Sequence, residues 1–223
     1  EGCVRLKIPL DLPAVRAQLL AFSQQLGEGV AKLILTRGDG QRGYALPQPA
    51  QPRLILQATA KPVYPAAYAE QGVRLFACAT RLAEQPLLAG LKHLNRLEQV
   101  LARAEWADPA IHEGLMLDTD GQLGCATAAN VFALRDGRWL TPPVHRRGVA
   151  GVARAWVLAN EPAAAEAELS RAQVESAKAL FLCNAVRGIL PVGRLEDHAW
   201  APHPALDDLR RQLGRAVPAF QGS

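Results

Sequence analysis

The chain has 223 residues, 49% hydrophobic, 21% charged and 5% aromatic, a composition that excludes disorder and describes an ordinary globular protein with an aliphatic interior. Its net charge of +4, from 25 basic and 21 acidic residues, is interleaved without a block of like charges, so nucleic acid is not implied, and the modest basic excess suits a small anionic ligand or, equally, a solvated surface with a few spare arginines. Cys3, Cys78, Cys125 and Cys183 form no CxxC pair, which argues against a disulfide framework or a structural zinc and for a reducing compartment.

No apolar run approaches the roughly 18 residues of a membrane span, and the start lacks the basic-then-apolar layout of a signal peptide, so a cytoplasmic protein is expected. The chain opens on "EGCVRLKIP" with no initiator methionine, in the manner of an element already under way, and an N-terminally incomplete chain is the expectation.

In chain order, "PAVRAQLLAFSQQL" (13–26) has apolar side chains at helical spacing with a proline in its first turn and predicts a surface helix. "AKLILTRG" and "PRLILQATA" read as strands, and "RGDGQRGYALPQPAQP" between them, rich in Gly and Pro, must be a long loop. Two arginines and a tyrosine on that loop suit a carboxylate ligand, an exposed hairpin loop being the plain alternative. "KPVYPAAY" (61–68) reads as a connector, which places a boundary near residue 66 between a small lobe, 1–66, and a larger one, 67–223.

Beyond it, "VRLFACATRL" predicts a strand, "HEGLMLDTDGQL" a strand and turn, and "NVFALRDGRWLTPP" a hairpin turning at Asp136-Gly137. "RRGVAGVARAWVLANE" passes from a glycine-punctuated loop into a helix, "LSRAQVESAKALFLCNAVRGILPV" gives helix, strand and turn, and "PALDDLRRQLGRAV" is the last helix. The alternation predicts a mixed α/β (α+β) protein of two lobes, the second built on a large, barrel-like sheet.

Within "LLAGLKHLNRLEQVLARAEW" (87–106), Asn95 followed by Glu98 has the form of a capping box and predicts a helix starting at Asn95, with Leu97, Leu101 and Ala104 along one face. Lys92 then precedes the helix and follows Gly90. Such a lysine is either plainly solvated or a desolvated amine able to form a Schiff base or take a proton near neutral pH, and position does not choose. The turn Gly148–Arg154 opens a helix and leaves backbone N–H groups free at its positive end, where a phosphate could sit, although a tight turn alone would explain its glycines. The five histidines show no metal-binding spacing and no nucleophile elbow is present, so neither a metal site nor a hydrolase is expected.

Four strings in this order, "LAGLKHLNRLEQVLARAEW", "DGQLGCATAANVFAL", "TPPVHRRGVAGVAR" and "LFLCNAVRGILPV", resemble the pyridoxal-phosphate enzymes of fold type IV, and within them the aminodeoxychorismate lyases. The resemblance covers essentially the whole chain and implies two lobes, a homodimer with active sites near its interface, and bound pyridoxal 5'-phosphate. It matches Lys92 to the lysine that holds the cofactor covalently and moves the proton. Val152 and Ala153 match the turn whose backbone holds the cofactor phosphate, Asn184 and Ala185 a second phosphate-side loop, and Arg42 and Tyr44 the substrate-proximal loop. Cys125, just before Asn130 in the cofactor-binding set, stands where the family has a glutamate facing the pyridine nitrogen, and a thiol of pKa about 8.5 would protonate that nitrogen poorly. The family's opening strands and an arginine for the cofactor phosphate lie upstream of Glu1 in this comparison. The implied reaction converts 4-amino-4-deoxychorismate to 4-aminobenzoate and pyruvate on the way to folate. The alternatives are a D- or branched-chain amino-acid aminotransferase of the same fold and a degenerate, non-catalytic homologue.

Overall fold

The computed structural model describes residues 1–221 and divides into two compact units, the first ending at Val63 and the second beginning at Tyr64. In the first unit a four-residue turn of helix, α1 (Gly2–Arg5), precedes α2 (Leu12–Leu26). The Asp11 carboxylate accepts from the Ala14 N–H at 2.9 Å and so starts α2, with Pro13 in its first turn. Strands β1 (Val30–Thr36) and β2 (Arg53–Thr59) pair antiparallel from Val30–Thr59 to Thr36–Arg53. The loop between them, 37–52, is long, as its glycines and prolines require.

The second unit begins with α3 (Ala66–Glu70), so the proline-tyrosine segment read as a connector closes on a short helix. Then follow β3 (Val73–Ala77), α4 (Leu97–Arg103), β4 (Ile111–Leu117), β5 (Leu123–Ala126), β6 (Asn130–Arg135) and β7 (Arg138–Thr141). The chain continues with α5 (Val152–Asn160), β8 (Ala164–Glu166), α6 (Arg171–Glu175), β9 (Ala179–Asn184), β10 (Gly188–Leu195), β11 (His198–Ala199) and α7 (Pro204–Ala216). The strands form one mixed sheet in the order β5-β4-β3-β10-β9-β6-β7-β8, with β11 beside β10. The β6–β7 hairpin turns at Asp136 and Gly137, both at positive φ (49° and 74°), as a two-residue turn of this hand demands.

Both faces of this sheet are buried, and the period of two along its strands sorts side chains between them. Val131, Ala133, Leu180 and Leu182 join one apolar cluster with Val73, Leu75 and Leu115. The alternate residues Phe132, Leu134, Phe181 and Cys183 join another, against Ala153 and Val157 of α5 and Leu206, Leu209 and Leu213 of α7. Phe132 and Phe181 stack with ring centroids 4.8 Å apart. A double-sided core makes the register of β6 and β9 hard to slip, which holds Asn130 and Asn184 at the strand ends where the candidate site lies.

Two sequence expectations are corrected here. Strand β3 stops at Ala77 instead of running to Leu82, because the Glu105 carboxylate accepts from the N–H groups of Ala79 (2.6 Å) and Thr80 (2.8 Å) and draws the chain out of the ladder. Helix α4 starts at Leu97, not Asn95. Arg96 holds the cap position with no capping side chain, and Glu98 accepts from the Ala83 N–H at 2.9 Å instead of turning back on its own helix. No helix among the described residues is long and apolar enough to cross a membrane.

Candidate active site

Lys92 lies in the irregular segment between Gly90 and α4, with its side chain exposed. That segment is fixed on both sides. Gly90 donates its N–H to the Gly148 carbonyl at 3.1 Å and its carbonyl accepts from the Ala150 N–H at 2.9 Å, a parallel bridge that ties the lysine segment to the glycine turn. Arg96 donates to the Leu91 carbonyl and, at 3.3 Å, to the His93 carbonyl, so one guanidinium grips the backbone on either side of Lys92. The neighbouring His93 imidazole is held below its ordinary pKa by burial and then by Arg96, which favours its neutral form.

The turn bonded to Gly90 runs into α5. Gly148 sits at φ +82°, a conformation that only glycine adopts without strain. Gly151 is the helix cap, with no side chain bonded to the first turn and no acid in it, so the N–H groups of Val152 and Ala153 open the positive end of the helix. Val152 is 71% exposed whereas Ala153 is buried against the core. Gly151 lies against Asn130: a Cβ added there would stand 2.2 Å from Asn130 Oδ1. The same amide donates through Nδ2 to the Val149 carbonyl at 2.9 Å, so Asn130 shapes the turn from behind. This cradle, open in front and closed by a glycine behind, fits a phosphate group held by backbone N–H groups.

At the neighbouring edge, Asn130 pairs with Cys183 across β6 and β9, and Asn184 follows. Asn184 Oδ1 accepts from the N–H groups of Val186 (2.9 Å) and Arg187 (2.8 Å), and its Nδ2 donates to the Ala128 carbonyl at 3.1 Å. Its side chain is thereby committed to shaping the turn, and Ala185 is left exposed at the apex. The structure thus ties the segment that carries Lys92 to the turn before Val152 and Ala153, and that turn through Asn130 to the strand end that carries Asn184 and Ala185. Arg42 and Tyr44 belong to the first unit, on the 37–52 loop, both exposed.

Cys125 lies opposite Met116 in the β4–β5 pair and is buried with Cys78, Leu82, Ala102, Trp106 and Met116. Burial pushes its thiol up to about 12, with Arg96 opposing and Glu113 reinforcing the rise. The group is a neutral thiol at pH 7. Cys183 is likewise pushed up to about 12 by burial. Unfolding returns both thiols toward the ordinary 9.0, so the unfolded chain holds fewer protons above that pH and stability falls as pH rises from about 9 toward 12. One unit above the ordinary value the loss is about 1 kcal/mol per thiol. Urea midpoints at pH 8 and pH 10 check this: the drop is expected to be smaller in Cys125→Ala than in the parent.

Residues without a motif of their own in the sequence brace the edge that carries Asn184. Glu113, buried on β4, accepts from Thr127 Oγ1, from the Ala128 N–H at 3.2 Å and from Arg187 Nη1 at 3.0 Å. Arg187 Nε also donates to the Tyr64 hydroxyl at 3.0 Å. This network joins the Thr127–Ala129 loop to the Asn184–Arg187 turn. A lone glutamate inside the apolar run "HEGLML" was its available signal, since a charge there must be paired.

The sequence model of the amino-transferase class IV family matches residues 1–195. The aminodeoxychorismate lyase of Vibrio harveyi is 34% identical over 196 residues, covering 86% of this chain and 70% of that protein. The crystal structure of 4-amino-4-deoxychorismate lyase from Pseudomonas aeruginosa superposes with a TM-score of 0.93 at 51% identity, covering 97% of this chain and 82% of that one. The branched-chain amino acid aminotransferase of Escherichia coli, at 20% identity and a TM-score of 0.79 over 95% of this chain and 74% of that one, shares the fold. With a glycine-backed, uncapped helix start beside the lysine segment and a family match spanning most of its length, the chain belongs to the amino-transferase class IV family.

Proposed function

We propose that this chain is a pyridoxal 5'-phosphate-dependent aminodeoxychorismate lyase, which converts 4-amino-4-deoxychorismate to 4-aminobenzoate and pyruvate. The observation that carries the reading is the 51% identity, over nearly the whole chain, to a lyase of that name. The geometry supports it. The N–H groups of Val152 and Ala153 would hold the phosphate, Ala185 at the apex of the turn shaped by Asn184 would flank it, and Asn130 would keep the cradle open. Bound there, the cofactor supplies an electron sink for the carbon that carries the substrate amine.

Lys92 is the amine that would hold the cofactor covalently. Its free Nζ would take the proton from the carbon bearing the substrate nitrogen and pass it to the departing enolpyruvyl group, while the ring gains aromaticity. Cys125, a neutral thiol, brings no negative charge to the pyridine nitrogen, and formation of the aromatic ring lessens what the lyase reaction asks of that sink. Transamination depends on the ring nitrogen in both half-reactions and is the less suited chemistry. Arg42 and Tyr44 are assigned to the substrate side, a guanidinium fork being matched to the carboxylates of a dianion.

A homodimer is part of this reading. Leu94, Leu97, Val100 and Leu101, on and just before α4, are exposed and form an apolar stripe of the kind that a second copy covers. The cytoplasm is the assigned compartment, in accord with four free cysteines. Purified protein supplied with cofactor and 4-amino-4-deoxychorismate is expected to release pyruvate and 4-aminobenzoate in equal amounts. Glutamate formed from an amino acid and 2-oxoglutarate would point to an aminotransferase instead, and no turnover of either kind to a degenerate homologue.

A further inference from the structure

Helix α5 opens with a cation where a helix start disfavours one: Arg154 is its third residue, is buried, and has no acid beside it in the first turn. A guanidinium so placed is costly unless paired. Its Nη2 donates to the Pro142 carbonyl at 2.9 Å and to the Glu166 carboxylate. Pro142 begins the loop that runs into α5, so a side chain from the helix's first turn ties back to the start of that loop.

Halfway along the same loop a second arginine is buried. Arg147, its side chain 1% exposed, sets Nε 2.9 Å from Asp118 Oδ2 and donates through Nη2 to Glu168 Oε2 at 2.6 Å and to the Leu123 carbonyl at 3.1 Å. Glu166, the last residue of β8, and Glu168, two positions on, therefore receive Arg154 of α5 and Arg147 of the loop before it. Together with the bond from Asn130 to the Val149 carbonyl, these contacts fix the loop from behind. None of them uses the N–H groups of Val152 or Ala153.

We propose that Arg154 and Arg147, anchored on Glu166 and Glu168, are positioning residues that preform the phosphate-holding turn ahead of Val152 and Ala153. The inference rests on the cofactor reading above and deepens it. A turn already held in its binding shape gives up little conformational freedom when the anion arrives, so the ion pairs act on affinity and not on proton transfer at Lys92.

The test compares pyridoxal phosphate with pyridoxal, which lacks the phosphate, by spectroscopic titration of cofactor-free protein. In Arg154→Lys and in Glu166→Gln, affinity for pyridoxal phosphate is expected to fall about tenfold or more, the worth of one charge-assisted hydrogen bond. Affinity for pyridoxal should stay within about twofold of the parent. An equal fall for both ligands, or no fall for either, overturns the inference while leaving the cofactor reading intact. A parent protein that binds neither ligand overturns both. If Arg154→Lys does not fold, Glu166→Gln carries the comparison, since it keeps the guanidinium and removes only its partner's charge; failure of both to fold makes the pair a folding element and also overturns the inference.

Discussion

Replacing Lys92 with alanine is expected to lower kcat/KM for pyruvate release by about 10³-fold, the scale on which positioned acid–base groups act. The fold should be untouched: Lys92 is exposed in an irregular segment whose backbone is held by Gly90 and Arg96, not by the lysine side chain. Equal melting curves for parent and variant, beside a lost rate, separate chemistry from stability. Lys92→Arg should be as inactive, because a guanidinium keeps its charge but does not release a proton at neutral pH. Borohydride treatment of the cofactor-loaded parent, followed by peptide mass analysis, should place the cofactor's mass on the peptide containing Lys92 and leave the alanine variant unlabelled. Activity retained within about tenfold in Lys92→Ala would remove the lysine from the mechanism.

Glu113→Ala should be the most destabilising single change at the site, by about 3–5 kcal/mol, the cost of leaving one partner of a buried ion pair alone. Three donors lose their acceptor at once: Thr127 Oγ1, the Ala128 N–H and Arg187 Nη1. Arg187 keeps its bond to the Tyr64 hydroxyl, which carries no countercharge. Because Glu113 ties the loop after β5 to the turn before β10, the variant should also loosen the edge on which Asn184 and Ala185 sit. Urea unfolding measures the first effect and amide hydrogen exchange at 184–188 the second. A loss below about 1 kcal/mol would show that the pair stands close to balance against its own desolvation.

Much of the architecture could be read from the chain because it depends on local rules. The Asp11-capped helix, the paired strands on either side of the glycine-rich loop and the Asp136-Gly137 hairpin each carry their signal within a few residues. The helix cap at Asn95 could not be read correctly for the same reason in reverse. Its signal was local, but Glu98 was claimed by Ala83, fifteen residues away. Likewise β8 was hidden in the alanine-rich "EPAAAEAE", since its strand character comes from pairing with β7 and not from β propensity.

For the site, the sequence by itself determined the chemistry on offer: a lysine outside its helix, a glycine turn at a helix start, two asparagines at strand ends, and the cysteine at 125. Tertiary structure alone decided how these are held. The bond from Asn130 to Val149, the Glu113–Arg187 pair and the two arginines clamped on Glu166 and Glu168 join residues between 12 and 74 positions apart. Burial there makes an unpaired charge costly, so the fold had to supply the partners that no nearby residue could.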